Sequence, residues 1–222
     1  MIRERPAPPR IYAIADAKAL APLSLSEGVA AMAEAGVRWI QLRAKPAGLL
    51  SDRDFCREVE ASCRAIEGEP VEIWIDDRAD LAAIFGPAGV RGLHLGQTDL
   101  PPEAARRVVG ATVAIGLSTH DAPQVAAAGA DPDVDLVAVG PVFPTTGKER
   151  PDRVVGLDFV THARGAMRKP LVAIGGITTK NVSQVLAAGA DSAAVLGAIC
   201  RGGSPGSILR NAVALLAAAE AD

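Results

Sequence analysis

The sequence predicts a single α/β domain of the (β/α)8, or TIM, barrel class. Three observations carry this. Short apolar runs recur at fairly even intervals, they are continuous rather than alternating, and helical stretches separate them. A continuous run suits a strand covered on both faces, since neither side of such a strand meets water. The runs are Ile11–Ala15, Val37–Leu42, Val71–Ile75, Gly92–Leu95, Val113–Leu117, Leu136–Val139, Leu171–Ile174 and Ala193–Leu196. A doubly wound open sheet is the alternative architecture. The barrel is favoured because eight strands are each followed by a helix and the helix-to-strand connection repeats. Ala33-Glu-Ala-Gly-Val before strand two resembles Ala126-Ala-Ala-Gly-Ala before strand six and Ala187-Ala-Gly-Ala-Asp before strand eight.

The helices follow from capping and spacing. Ser26 can cap one that buries Val29, Met32 and Ala33 at 3/4 spacing and stops at Gly36. The others are expected at Asp52–Ile66, Ala79–Phe85, Pro102–Val109, Ala122–Ala128, Leu157–Met167, Thr179–Ala188 and Ser207–Ala219. No linker or low-complexity segment divides the chain. Residues 1–10 read as an Arg- and Pro-rich tail and residues 11–222 as one barrel domain.

Composition bounds the function. Of 222 residues, 49% are hydrophobic and 22% charged, enough for a substantial core, and the net charge of −3 offers no footprint for nucleic acid or an anionic membrane. Phosphate binding must then come from a few local Arg, Lys and backbone N–H groups. Cys56, Cys63 and Cys200 are scattered, without metal-ligand spacing, and read as reduced thiols of a cytoplasmic protein. No apolar run is long enough to span a bilayer, and the first ten residues lack the apolar stretch of a signal peptide.

In barrels of this class, chemistry sits on the loops after the strands. Val71-Glu-Ile-Trp-Ile-Asp-Asp-Arg78 and Leu93-His-Leu-Gly-Gln-Thr-Asp99 place carboxylates at the ends of two neighbouring strands. From one rim they could share a hard cation such as Mg²⁺, which leaves positions open for substrate phosphates. Helix capping by Asp76 or Asp77 is the plainer reading. Arg43 and Lys45 in Gln41-Leu-Arg-Ala-Lys45 are two apart and can grip one anion, unless they are simply solvated. His94 reads as a structural histidine facing the barrel, and Ser118 offers a hydroxyl to the pocket. His120 and Asp121 can cap the next helix. The segment Gly140-Pro-Val-Phe-Pro-Thr-Thr-Gly-Lys148 carries the hydroxyls of Thr145 and Thr146 and the amine of Lys148, and can close over the mouth. Ile174-Gly-Gly-Ile177 and Leu196-Gly197-Ala198, the latter able to open a short helix, suit a phosphate site built from backbone N–H groups or, more plainly, tight turns.

Taken in series, these motifs resemble the thiamine-phosphate synthase family over about residues 11–200. The resemblance implies a Mg²⁺-dependent transferase that joins a hydroxymethylpyrimidine diphosphate to a thiazole phosphate and releases pyrophosphate. It implies Asp77 and Asp99 as Mg²⁺ ligands. It implies pyrimidine-diphosphate contacts at Gln41, Arg43, Lys45, Asp76, Ser118 and Lys148, with Arg43, Lys45, Lys148 and Ser118 serving catalysis. Thiazole-phosphate contacts fall on Thr145, with Thr146 beside it, and on Gly176, Leu196 and Gly197. Three positions depart from the family pattern: Asp76 stands for Asn, Gly147 for a hydroxyl residue and Gly197 for Ser. Two other functions compete. A related thiazole tautomerase would use His120 as its acid–base group, and a lapsed barrel would merely bind thiazole or thiamine phosphate. The partners expected are the two phosphorylated small molecules, with a homo-oligomer also compatible.

Overall fold

The computed structural model describes residues 7–145 and 153–221. Eight parallel strands close into one barrel in chain order: β1 (Ile11–Asp16), β2 (Trp39–Arg43), β3 (Glu72–Asp76), β4 (Val90–Leu95), β5 (Ala114–Thr119), β6 (Leu136–Val139), β7 (Leu171–Ile174) and β8 (Ser192–Val195). All eight expected strands are present, with ends displaced by a residue or two. The displacement has a consistent cause. An apolar run marks a strand's buried middle, whereas the ladder continues to the polar residues Asp16, Arg43, Asp76 and Thr119 at the rim.

Around the barrel lie α1 (Ala17–Leu20), α2 (Leu25–Glu34), α3 (Asp52–Ala65), α4 (Ala79–Phe85), α5 (Pro102–Val109), α6 (Ala122–Ala130), α7 (Gly156–Ala166), α8 (Val182–Ala187) and α9 (Pro205–Glu220), with a 3₁₀ turn at Gly86–Ala88. The cap of α2 is Ser24, not Ser26. Its hydroxyl accepts from the Glu27 amide at 3.2 Å and the Glu27 carboxylate accepts from the Ser24 amide at 2.8 Å, closing a capping box. The Ser26 amide instead donates to Glu58 at 3.1 Å. The helix expected from Thr179 begins only at Val182, because Asn181 accepts from the Thr178 amide at 2.7 Å and holds a turn. The short α1 was not foreseen; Asp16 caps it through the Ala19 amide at 2.9 Å.

Two apolar layers result. The larger lies between the strands and the helices, and the smaller fills the barrel. Inside, Tyr12, Trp39 and Trp74 pack as a trio with ring centroids 4.9–5.7 Å apart. Opposite them stand small or slender residues, among them Ala114, Ala138, Val172 and Ala194. This imbalance leaves the upper barrel open on the β5–β8 side. Trp74 fits because β4 has Gly92 beside it, where any Cβ would run into the indole. Among the described residues no helix is long and apolar enough to cross a membrane.

Gly92→Ala is therefore expected to destabilise the fold by about 1–3 kcal/mol through overpacking. Gly165→Ala, in α7 with open space around its Cβ position, should be neutral or stabilising by up to about 1 kcal/mol. Urea midpoints check both, and equal midpoints for the two variants would refute this account of the interior.

Candidate active site

At the C-terminal ends of the strands the barrel opens into a cavity of ≈ 1060 Å³. Every expected site residue within the described part of the chain lines it. Thr146 and Lys148, together with the departure at Gly147, lie outside the described residues.

The β1–β4 side is a chain of alternating charges. Arg43 hydrogen-bonds Asp16, and its Nε lies 3.5 Å from Asp76. Lys45 Nζ sits 3.4 Å from Asp76 and 2.8 Å from Asp77. Asp77 in turn meets the Asp99 carboxylate, and Asp99 is held by the Gly96 amide at 2.7 Å. A Cβ at position 96 would stand 2.9 Å from that carboxylate oxygen, so the approach depends on glycine. Asp77 has φ 60°, the one non-glycine in the left-handed region among the described residues, while its amide donates to the His94 carbonyl at 2.9 Å. Aspartate tolerates that conformation better than most residues, and strain of this kind gathers at functional sites.

Neither Asp76 nor Asp77 caps α4. Its N-cap is Arg78, without a side-chain bond, so the plainer reading of those carboxylates fails. Arg78 does not line the cavity; it binds Asp52 at 2.6 Å and Asp80 at 2.6 Å.

The electrostatics follow from crowding. Burial pushes Asp76 up to about 6, the Asp77 charge adds to this, and Lys45 and Arg43 oppose it. Burial also raises Asp77; Lys45 offsets part of that rise and the neighbouring Asp99 restores it. For Lys45, burial works against the charged form, but Asp76 and Asp77 outweigh it and the ammonium is raised. Four carboxylates (Asp16, Asp76, Asp77, Asp99) face two cations (Arg43, Lys45), so the acids outnumber the cations by two. An oxygen-rich pair in contact, with a deficit of two positive charges and a face on the cavity, suits a hard divalent cation. Among the described residues no cluster of three or more acidic, His or Cys ligands exists. Such an ion would complete its shell from water and substrate.

The β4–β6 side is polar, with histidine, glutamine and serine side chains. His94, buried and facing inward as expected, has Nε2 2.9 Å from Ser118 Oγ. Gln97 Nε2 donates to the Ser118 carbonyl at 2.6 Å. His120 lines the cavity with Nδ1 2.6 Å from the Gly140 carbonyl, so that nitrogen carries the proton. Asp121 caps α6 as anticipated.

The β6–β8 side is built from backbone. Val142 and Phe143 amides donate to the Ile174 and Gly175 carbonyls at 2.8 and 3.0 Å, locking the loop after β6 onto the loop after β7. Gly175 and Gly176 have φ of 102° and 67°, and a Cβ on Gly176 would come within 2.6 Å of the Pro144 carbonyl. Close packing of two loops thus accounts for these glycines. Leu196-Gly197-Ala198 opens no helix; one turn forms, with Ile199 and Cys200 amides donating to the Leu196 carbonyl at 3.2 and 3.0 Å.

Sequence reasoning passed over Asp16, Tyr12 and Arg201. Asp16 was detectable by the rule that found Asp76, a carboxylate directly after an apolar run. Tyr12 lines the floor with its hydroxyl buried and unpartnered, and burial raises it well above the usual phenol range, helped by the nearby Asp76 and Glu72. Nothing local in the sequence marks Arg201.

The family described as thiamine monophosphate synthase matches residues 11–199. The chain is 43% identical over 192 residues to a thiamine-phosphate synthase of Koribacter versatilis, covering 85% of this chain and 87% of that one. It is 42% identical over 187 residues to a thiamine-phosphate synthase of Acidothermus cellulolyticus, covering 83% and 84%. Among solved structures it is similar to a thiamine phosphate pyrophosphorylase from Pyrococcus furiosus, with a TM-score of 0.80, 27% identity and 95% of each chain covered. A match of this extent, on a barrel with the expected motifs at its mouth, places the chain in the thiamine monophosphate synthase family.

Proposed function

We propose that the chain is a cytoplasmic thiamine-phosphate synthase. It would condense 4-amino-2-methyl-5-(diphosphooxymethyl)pyrimidine with 4-methyl-5-(2-phosphooxyethyl)thiazole, giving thiamine phosphate and pyrophosphate. The observation that carries this reading is a single cavity with two unlike ends: a rim of paired carboxylates and cations on β1–β4, and glycine-rich loops on β6–β8. A tautomerase would need His120 but no diphosphate grip. His120 does line the cavity, yet the Arg43, Lys45, Asp77 and Asp99 cluster would then have no task.

The bond that breaks joins the pyrimidine methylene carbon to the diphosphate oxygen, which leaves with the electron pair. The thiazole nitrogen lone pair then forms the new C–N bond with the resonance-stabilised cation. Negative charge therefore grows on the leaving diphosphate, and Arg43 and Lys45 stabilise it more after ionisation than before. Mg²⁺ on Asp77 and Asp99 would supply further charge neutralisation there. The floor of Tyr12, Ile14, Ala138, Val172 and Ala194 keeps water from the cation, which would otherwise yield an alcohol. Ser118, positioned by His94, would hold a diphosphate or pyrimidine atom. No side-chain nucleophile takes part.

With both substrates and Mg²⁺, the purified chain is expected to form thiamine phosphate and pyrophosphate in equal amounts. Thiazole isomerisation without product would overturn the synthase reading. Asp77→Ala or Asp99→Ala should lower kcat/KM at limiting Mg²⁺ by at least about 100-fold, since loss of even an outer-shell partner commonly removes 10–100-fold. Wild-type rates in both variants would exclude the shared cation.

Asp76 yields a test by pH. Its carboxyl holds a proton more tightly folded than unfolded, so the group favours the fold as pH falls through about 6 and disfavours it above. Asp76→Asn in EDTA should then stabilise the protein at pH 8, by about 3 kcal/mol at most, with the gain shrinking toward pH 4. A gain independent of pH would show that Asp76 ionises normally.

A further inference from the structure

We propose that Arg201, on the turn after β8, is the side chain that binds the phosphate of the thiazole substrate. The identity of that phosphate rests on the synthase reading; the anion site itself rests on geometry. Among the described residues three cationic side chains line the cavity: Arg43, Lys45 and Arg201. The first two are engaged by Asp16, Asp76 and Asp77. The Arg201 guanidinium makes no hydrogen bond or ion pair with the described residues; only its carbonyl is used, accepting from Asn211 Nδ2 at 3.0 Å.

The same Asn211 amide donates to the Ile199 carbonyl at 3.2 Å, so α9 holds the turn in place while leaving the charged end over the cavity. The cavity's acidic residues are Asp76, Asp77 and Asp99, all following β3 and β4. In a closed ring of eight strands, β8 lies opposite β4. Arg201 is thus a cation without a counter-charge among the described residues, facing loops that carry Thr145, Thr178 and glycine backbone. Among the described residues none of the loop hydrogen bonds uses the Gly176, Gly197 or Ala198 amide as donor. A guanidinium fork beside backbone N–H groups is the donor set that a phosphomonoester dianion recognises without a metal.

Gly197 supplies the second half of the argument. A Cβ there would meet nothing within 4 Å. The bond from the Cys200 amide to the Leu196 carbonyl winds residues 196–200 into one turn, with 197 at its start and 201 directly past its end. A hydroxyl placed at 197 would enter the same open space, toward the same anion.

Arg201→Ala is expected to raise the KM for the thiazole phosphate about 10–100-fold, the usual worth of hydrogen bonds to a charged partner, and to move the KM for the pyrimidine diphosphate less than twofold. Arg201→Ala combined with Gly197→Ser should recover part of the loss. Independently of turnover, millimolar inorganic phosphate in EDTA should raise the melting temperature of the wild-type chain and not that of Arg201→Ala. If neither protein makes product but phosphate still discriminates them, the anion site stands and the synthase reading falls. If product forms with an unchanged thiazole-phosphate KM in Arg201→Ala, the proposal is overturned and the synthase reading stands. Equal phosphate shifts in the two proteins overturn the proposal as well.

Discussion

The cavity depends on one run of contacts, from Asp16 through Arg43, Asp76, Lys45 and Asp77 to Asp99. The strands that carry it are largely apolar in their buried middles, and the charges at their C-terminal rim are crowded and partly dehydrated. Arg43 lies between carboxylates of β1 and β3, Lys45 lies beside the two at the end of β3, and the four acids outnumber the two cations. The raised values for Asp76 and Asp77 are consequences of that burial and crowding. A dry core would exclude such residues; at the mouth they suit a ligand that brings positive charge.

The fold was legible because a parallel barrel writes its strands as uninterrupted apolar runs, and eight of them in alternation with helices leave few other topologies. The charged lining of the cavity was legible where a carboxylate or a basic residue stands at or within a few residues of the end of such a run, as at Asp77, Asp99 and Arg43. What escaped has a physical reason. Asp16 stands directly after its apolar run, as Asp76 does, but its value lies in a contact with Arg43 on the next strand, which the run alone does not show. The His94–Ser118 bond likewise joins two strands. Ser24 rather than Ser26 caps α2 because the reciprocal partner is Glu27, three residues on, a spacing that the nearer serine lacks. Arg201 is set over the cavity by Asn211, ten residues away.

The two ends of the cavity use different means to hold an anion, and this has a consequence for substrate order in space. On the β3–β4 side the carboxylates outnumber the cations, and on the proposed reading a diphosphate would be held there together with a divalent cation. On the β7–β8 side no carboxylate lines the wall among the described residues, and a phosphomonoester meets a guanidinium and peptide N–H groups directly. The diphosphate and the monophosphate therefore cannot exchange places without losing their compensation. In the proposed synthase this charge asymmetry across the mouth would set which substrate binds at which end. The apolar floor between them needs only to be wide and dry, which the alanines of β5, β6 and β8 secure opposite the three large aromatic rings.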